Sequence, residues 1–229
     1  MDDLVRVQVI GLGKPDPPTN LSVVTNGNDF DVSWTNPADF DTIELDKINA
    51  NGTYTNEFSG VGTSHTITNS HFDIGYQVRL RSVRNGLGSD YVYDWHSNLN
   101  FVEYEPDSNW DSTVTLTSQH LRLLSGTNKF VGMFSDNDVI TPALNNIVRM
   151  NLRSVGGDDS LDGVHFQSGP SSPSSFRPSA LDMPTSFAQQ DITRTQSLPA
   201  GTFIHTGLWD PSSSGGTTHD FEIRYIEYL

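Results

Sequence analysis

Apolar and polar residues alternate in short runs along most of this chain, and no stretch sustains a helical period. A period of two sends successive side chains to opposite faces of an extended backbone, so the pattern predicts an all-β fold of half-buried strands. Phe30, Val32 and Trp34 share one face of such a run, with Asp31 and Ser33 on the other. Tyr76, Val78 and Leu80 stand in the same way against Gln77, Arg79 and Arg81. Further along, Val148, Met150 and Leu152 alternate with Arg149, Asn151 and Arg153. A thin sandwich buries one face per strand, which suits 34% hydrophobic residues beside 10% aromatics. Disordered chains are poor in aromatic and β-branched residues, so this one is read as folded.

The breaks between runs organise the chain. Leu4 to Ile10 alternates through Val5, Val7 and Val9, and is then cut off by Gly11, Gly13, Pro15, Pro17 and Pro18. Residues 1–15 are therefore expected to form an extended arm, with Val5, Val7 and Val9 adding as a strand to the sheet edge of a partner. Asn51-Gly52 and Asn85-Gly86 are hairpin turn signals. A first domain is expected over residues 16–96, a connection over 97–111, and a second domain over 112–229. Each domain is expected to have a core of its own.

From about Pro17 to Trp95 the chain resembles a fibronectin type III domain. The residues that carry the likeness are the opening prolines with Leu21 and Val23, the Val32-x-Trp34 strand, and the corner Tyr76-x-Val78-x-Leu80. Asn85, Gly88 and Ser89 close it. Ser70 and Phe72 stand where the family has a leucine and a proline ahead of the tyrosine. The resemblance implies an immunoglobulin-like sandwich used as a spacer or binding module. It also implies a tyrosine corner, the Tyr76 hydroxyl bonding backbone upstream. The second half resembles no family; its strand pattern predicts a jelly-roll-like or Greek-key β-sandwich.

Charge and composition exclude several functions. The net charge is −15, and Lys14, Lys47 and Lys129 are the only lysines. A nucleic-acid partner needs basic residues against its phosphates, and an anionic membrane would repel this chain. No apolar run nears the roughly 20 residues of a membrane helix, so no membrane insertion is expected. Without cysteine there is no disulfide framework and no thiolate metal site. Asp2 and Asp3 follow Met1, the reverse of the basic start of a secretory signal, so assembly in a cytosol is expected.

No nucleophile elbow, phosphate loop or compact histidine pair is present, so no catalytic residues and no cofactor are expected. Asp158, Ser160 and Asp162, followed by Gly163, match the opening of a calcium loop, with oxygen ligands at alternate positions. The glutamate that completes such a loop would fall at Gly169, so a tight acidic turn is the preferred reading. Trp110 and Trp209 are candidates for stacking on sugar rings, against the commoner role of tryptophan in a core. The outward Arg79, Arg81 and Arg84 are expected to pair with carboxylates on the sheet face.

These readings converge on a non-enzymatic virion protein of a bacteriophage, a particle type in which fibronectin type III-like modules occur. It would be tail-associated, as a fibre, tail tip or baseplate accessory, and assembled with other virion proteins as a homo-oligomer. Host contact, with a surface glycan or protein, is assigned to the Ser/Pro-rich stretch at Ser171, Ser174, Phe176 and Arg177. The alternatives are a capsid decoration or head fibre protein and, in another class, a carbohydrate-binding module of a secreted protein.

Overall fold

A computed structural model of the chain describes residues 13–70, 74–98, 101–103, 112–125, 131–135, 147–157, 160–161, 163–168, 181–182, 184–193, 204–209 and 219–229. The described residues are all-β: strands, turns and no helix, with every strand pair antiparallel.

The first half is a sandwich of two sheets. One sheet has β1 (Thr19–Asn26), β2 (Asp29–Thr35) and β5 (Ser64–Ile67) in the order β1-β2-β5. The other has β3 (Thr42–Ile48), β4 (Tyr54–Gly60), β6 (Ile74–Arg84), the two-residue β7 (Leu87–Gly88) and β8 (Val92–Ser97). Its order is β4-β3-β6, with β7 and β8 on the free side of β6. Phe30, Val32, Trp34, Ile43, Leu45, Val78 and Leu80 fill the space between, all buried as the alternation requires. This is the fibronectin type III-like sandwich that the resemblance implies. The Asn85-Gly86 turn between β6 and β7 holds both residues at positive φ, 49° and 77°, the backbone a tight hairpin needs.

Tyr76 occupies the corner position, but its hydroxyl does not bond the backbone. It donates to Asn69 Oδ1 at 2.8 Å. Asn69 then donates from its own backbone N–H to Asp29 Oδ1 at 3.0 Å and from Nδ2 to the Asn28 carbonyl at 2.8 Å. One amide side chain thus ties the tyrosine to the β1–β2 turn in the other sheet.

The second half is also a double sheet. Its strands are β9 (Phe101–Glu103), β10 (Ser112–Leu116), β11 (Leu121–Ser125), β12 (Val131–Ser135), β13 (Ile147–Gly157), β14 (Ser160–Leu161), β15 (Gly163–Ser168), β16 (Leu181–Asp182), β17 (Ala188–Thr193), β18 (Ile204–Trp209) and β19 (His219–Tyr228). One sheet runs β10-β11-β19-β13-β17 and the other β9-β12-β18-β15. From β11 to β19 the longer strands alternate between the two sheets in chain order, which is jelly-roll connectivity. The stretch expected only to connect the halves contributes β9, which pairs with β12. Leu121, Leu123, Met150, Leu152, Phe221, Ile223 and Ile226 are its buried apolar residues.

The cores of the two halves are not separate. The end of β19 pairs with the start of β6, Tyr225 opposite Tyr76, Ile226 opposite Gly75 and Glu227 opposite Ile74. The main sheets of both halves therefore merge into one sheet of ten strands. Beyond these three pairs the strands part, β3 taking over the edge of β6 and β11 that of β19. Tyr225 packs into the apolar cluster of the first sandwich, its ring stacked on Tyr76 at 6.3 Å and 19°. A period of two predicts which face a residue takes and is silent on which strand it pairs with, so this merger leaves no mark in the sequence pattern.

Candidate functional site: the junction face

Most residues singled out from the sequence lie outside the described part of the chain. These are Val5, Val7 and Val9 of the arm, Asp158 and Asp162 of the acidic turn, Trp110, and Ser171, Ser174, Phe176 and Arg177. Ser160 lies in β14, its backbone opposite Asp182 of β16, and Trp209 ends β18. Among the described residues no three His, Asp or Glu side chains gather to hold a metal ion.

The arginine reading of the first sandwich holds in detail. Arg79 donates from Nε to Asp46 at 2.9 Å, Arg81 from Nε to Glu44 at 2.7 Å, and Arg84 pairs with Asp39. The pairs follow from register, since Asp46 is opposite Arg79 and Glu44 opposite Arg81 on β3 and β6. The Arg79 guanidinium is also held between two rings, 3.6 Å from the centre of Tyr54 and 4.1 Å from Tyr91. Each such contact stabilises by about 0.5–1 kcal/mol at a surface, so the strip is a tied-down wall with no free cation.

The junction is different. Between the pairs Asn151–Tyr225 and Leu152–Ile223, Arg224 has no opposite residue on β13, and the ladder bulges there. A bulge frees main-chain groups and re-aims side chains. The freed Arg224 carbonyl accepts a hydrogen bond from Trp95 Nε1 at 3.1 Å. The indole reaches it by crossing β6 over Gly75, where a Cβ would sit 3.0 Å from the Trp95 ring and 2.8 Å from Ser97. Glycine at position 75 is what lets the tryptophan cross. Trp95 ends up only 5% exposed, covered in part by the second half of the chain.

Other ties surround this crossing. Gln77 Nε2 donates to the Gln119 carbonyl at 2.6 Å, and the Tyr54 hydroxyl donates to Gln77 Oε1. Asn151, fully buried, donates from Nδ2 to the Ala50 carbonyl at 2.9 Å, in the turn where Gly52 holds φ at 83°. The Tyr225 hydroxyl donates to Glu227 at 2.8 Å.

Next to the crossing, charge is dense. Arg153 donates to Glu222 at 2.8 Å, and Arg122 forms a two-pronged pair with Asp220 at 2.8 and 2.6 Å. His120 Nε2 lies 3.3 Å from Glu222. Burial pushes the His120 imidazole below its ordinary value; Glu222 opposes this, and Arg153, Arg224 and Arg122 reinforce it. Burial raises the Tyr54 hydroxyl, against the pull of Arg224 and Arg79. Phe187 carries two guanidiniums on its ring, that of Arg224 at 3.7 Å and that of Arg153 at 4.6 Å. What the described residues place around the crossing is a set of hydrogen-bonding groups, ion pairs and an aromatic ring under two guanidiniums.

No family model matches the chain, and no curated protein matches it. Among solved structures, a two-domain fibronectin type III segment from chicken tenascin is similar over 93% of this chain and all of that one, at 12% identity and a TM-score of 0.36. The strand order, not that likeness, carries the fold.

Proposed function

We propose that the chain is a non-enzymatic structural component of a bacteriophage particle, tail-associated, anchored through residues before Pro15 and holding its second sandwich outward. The observation that supports this most is the way the halves are joined. Neighbouring domains in one chain commonly move about a flexible linker. Here a shared strand pairing, a stacked tyrosine pair and the Trp95 crossing fix one half on the other. A part that transmits position and load through an assembly needs such a joint.

The chain also enters the first sandwich at the end remote from the joint. Lys14 pairs with Asp90, and the Asp16 carbonyl accepts from Ser82 at 2.6 Å, near the finish of β6. The joint lies at the start of β6, roughly 25 Å away at about 3.3 Å per strand residue. An arm anchored in the particle therefore leaves the second sandwich clear of the anchor. The Ser/Pro-rich stretch with Ser171, Ser174, Phe176 and Arg177 is the proposed host contact. Deleting residues 1–14 tests the reading: the shortened protein should fold and stay soluble yet be missing from purified particles. Its unchanged incorporation would refute anchoring by the arm, and absence of the full-length protein from particles would refute the virion assignment.

A further inference from the structure

Among the described lysines and arginines, every one except Arg224 has a carboxylate within ion-pairing distance. Lys14 has Asp90, Lys47 has Glu57, Arg79 has Asp46, Arg81 has Glu44, Arg84 has Asp39, Arg122 has Asp220, Arg149 has Asp191 and Arg153 has Glu222. With 28 acidic residues to 13 basic ones, an unpaired arginine runs against the composition. Nor is Arg224 simply extended into solvent. Its guanidinium lies on the Phe187 ring, and its Nε is buried with no hydrogen-bond partner. The residue as a whole is only part-buried, so its stem is held while the side chain keeps some access to solvent. Removing part of a guanidinium from water, beside the like-charged Arg153, is unfavourable unless an anion completes the pair.

We infer that Arg224, set by the bulge in β19 and clamped on Phe187, is the anchor of a binding site for the carboxylate of an acidic sugar. A planar guanidinium receives a planar carboxylate through two parallel hydrogen bonds. Arg122 and Arg153 already neutralise Asp220 and Glu222, so Arg224 is left to balance a single negative charge, which a carboxylate carries and a phosphate monoester exceeds. Two further hydrogen-bonding side chains, Tyr54 and His120, lie within electrostatic reach of Arg224. Those are groups that suit sugar hydroxyls. The inference rests on the outward placement of the second sandwich in the proposed particle, since the ligand would be a host surface saccharide.

The test uses the full chain and three probes: methyl glucuronide, methyl glucoside, which lacks only the carboxylate, and acetate, which lacks the ring. Binding is read from the Trp95 indole N–H resonance, which sits on the Arg224 carbonyl, and by calorimetry. The glucuronide should shift that resonance saturably, and the other two should bind far more weakly. Arg224→Gln should weaken glucuronide binding roughly ten- to a hundred-fold, the loss of a charge-assisted hydrogen bond. Arg224→Lys, which keeps the charge and loses the fork, should fall between. Failure of the wild-type protein to bind the glucuronide overturns the inference without any variant. Equal binding of the glucoside overturns the role of the carboxylate, and equal binding of acetate overturns that of the sugar. Wild-type protein found in particles but blind to glucuronide sinks this site and leaves the virion reading standing. Glucuronide binding by a protein absent from particles does the reverse.

Discussion

Replacing Trp95 with alanine probes the joint where it depends on a single side chain. The indole is 5% exposed, so truncation removes nearly all of its buried surface. Deleting a buried tryptophan or phenylalanine destabilises by about 3–5 kcal/mol. The Arg224 carbonyl also loses its donor at 3.1 Å. Orphaning a buried acceptor costs a further ~1–3 kcal/mol unless water reaches it, and a cavity the size of an indole at a sheet surface would admit water. The expected loss is therefore about 4 kcal/mol. At about 2–4 °C per kcal/mol for a chain of this size, the melting temperature should fall by roughly 10 °C. Urea unfolding followed by both circular dichroism and fluorescence is the assay, because it reports whether the halves come apart together. One transition, shifted as a whole, is the expected result. A loss below about 1 kcal/mol, or two transitions of which only one moves, would refute the view that Trp95 locks the halves together.

Three smaller predictions follow from the same structure. Gly75→Ala should be destabilising by about 1–3 kcal/mol, because its Cβ would meet Ser97 at 2.8 Å and the Trp95 ring at 3.0 Å; unchanged urea unfolding would contradict the crossing. Tyr76→Phe strands Asn69 Oδ1 in a buried setting and should lower stability by about 1–3 kcal/mol, read by thermal melting, while Tyr54→Phe, at a half-exposed site, should do less. His96 sits edge-on to Phe30 at 4.9 Å and beside Thr25, and burial holds its imidazole below the ordinary value. The unfolded chain therefore takes up the proton first, and stability should fall as pH drops through the ordinary histidine range near about 6.5. His96→Gln should flatten that slope in melting curves taken across the range, and an unaltered slope would assign it elsewhere, His120 being a second part-buried imidazole of the same sign among the described residues.

Much of the first sandwich was legible because its chemistry is local. Phe30, Val32 and Trp34 turned inward as spaced, Asn85-Gly86 turned where it should, and Arg79 and Arg81 met Asp46 and Glu44 across the sheet. The second sandwich was legible as strands, and its jelly-roll order fits the expectation. The junction was not, for two physical reasons. Strict alternation through Phe221, Ile223 and Tyr225 puts all three on one face, but the bulge at Arg224 breaks that count. Ile226, not Tyr225, faces Met150, and Tyr225 is handed to the first core. Trp95 read as the close of the first sandwich, yet its importance depends on a strand 129 residues further along the chain. The one sequence signal that could have raised it is Gly75, a glycine inside an otherwise strong strand, which marks a close approach.

The proposed placement of the chain in a particle is tested most directly by which end of the molecule is hidden there. The protein has no cysteine, so a single Asp90→Cys or Val155→Cys substitution gives a unique thiol. Asp90 is highly exposed beside the exit of the arm, and Val155 is 45% exposed on the second sandwich. Both variants should react rapidly with a thiol dye as free proteins. In intact particles Val155→Cys should still react, and Asp90→Cys should react only after the particles are dissociated. Equal reactivity at both positions, or protection of Val155→Cys alone, would contradict an arm-anchored component with its second sandwich turned outward.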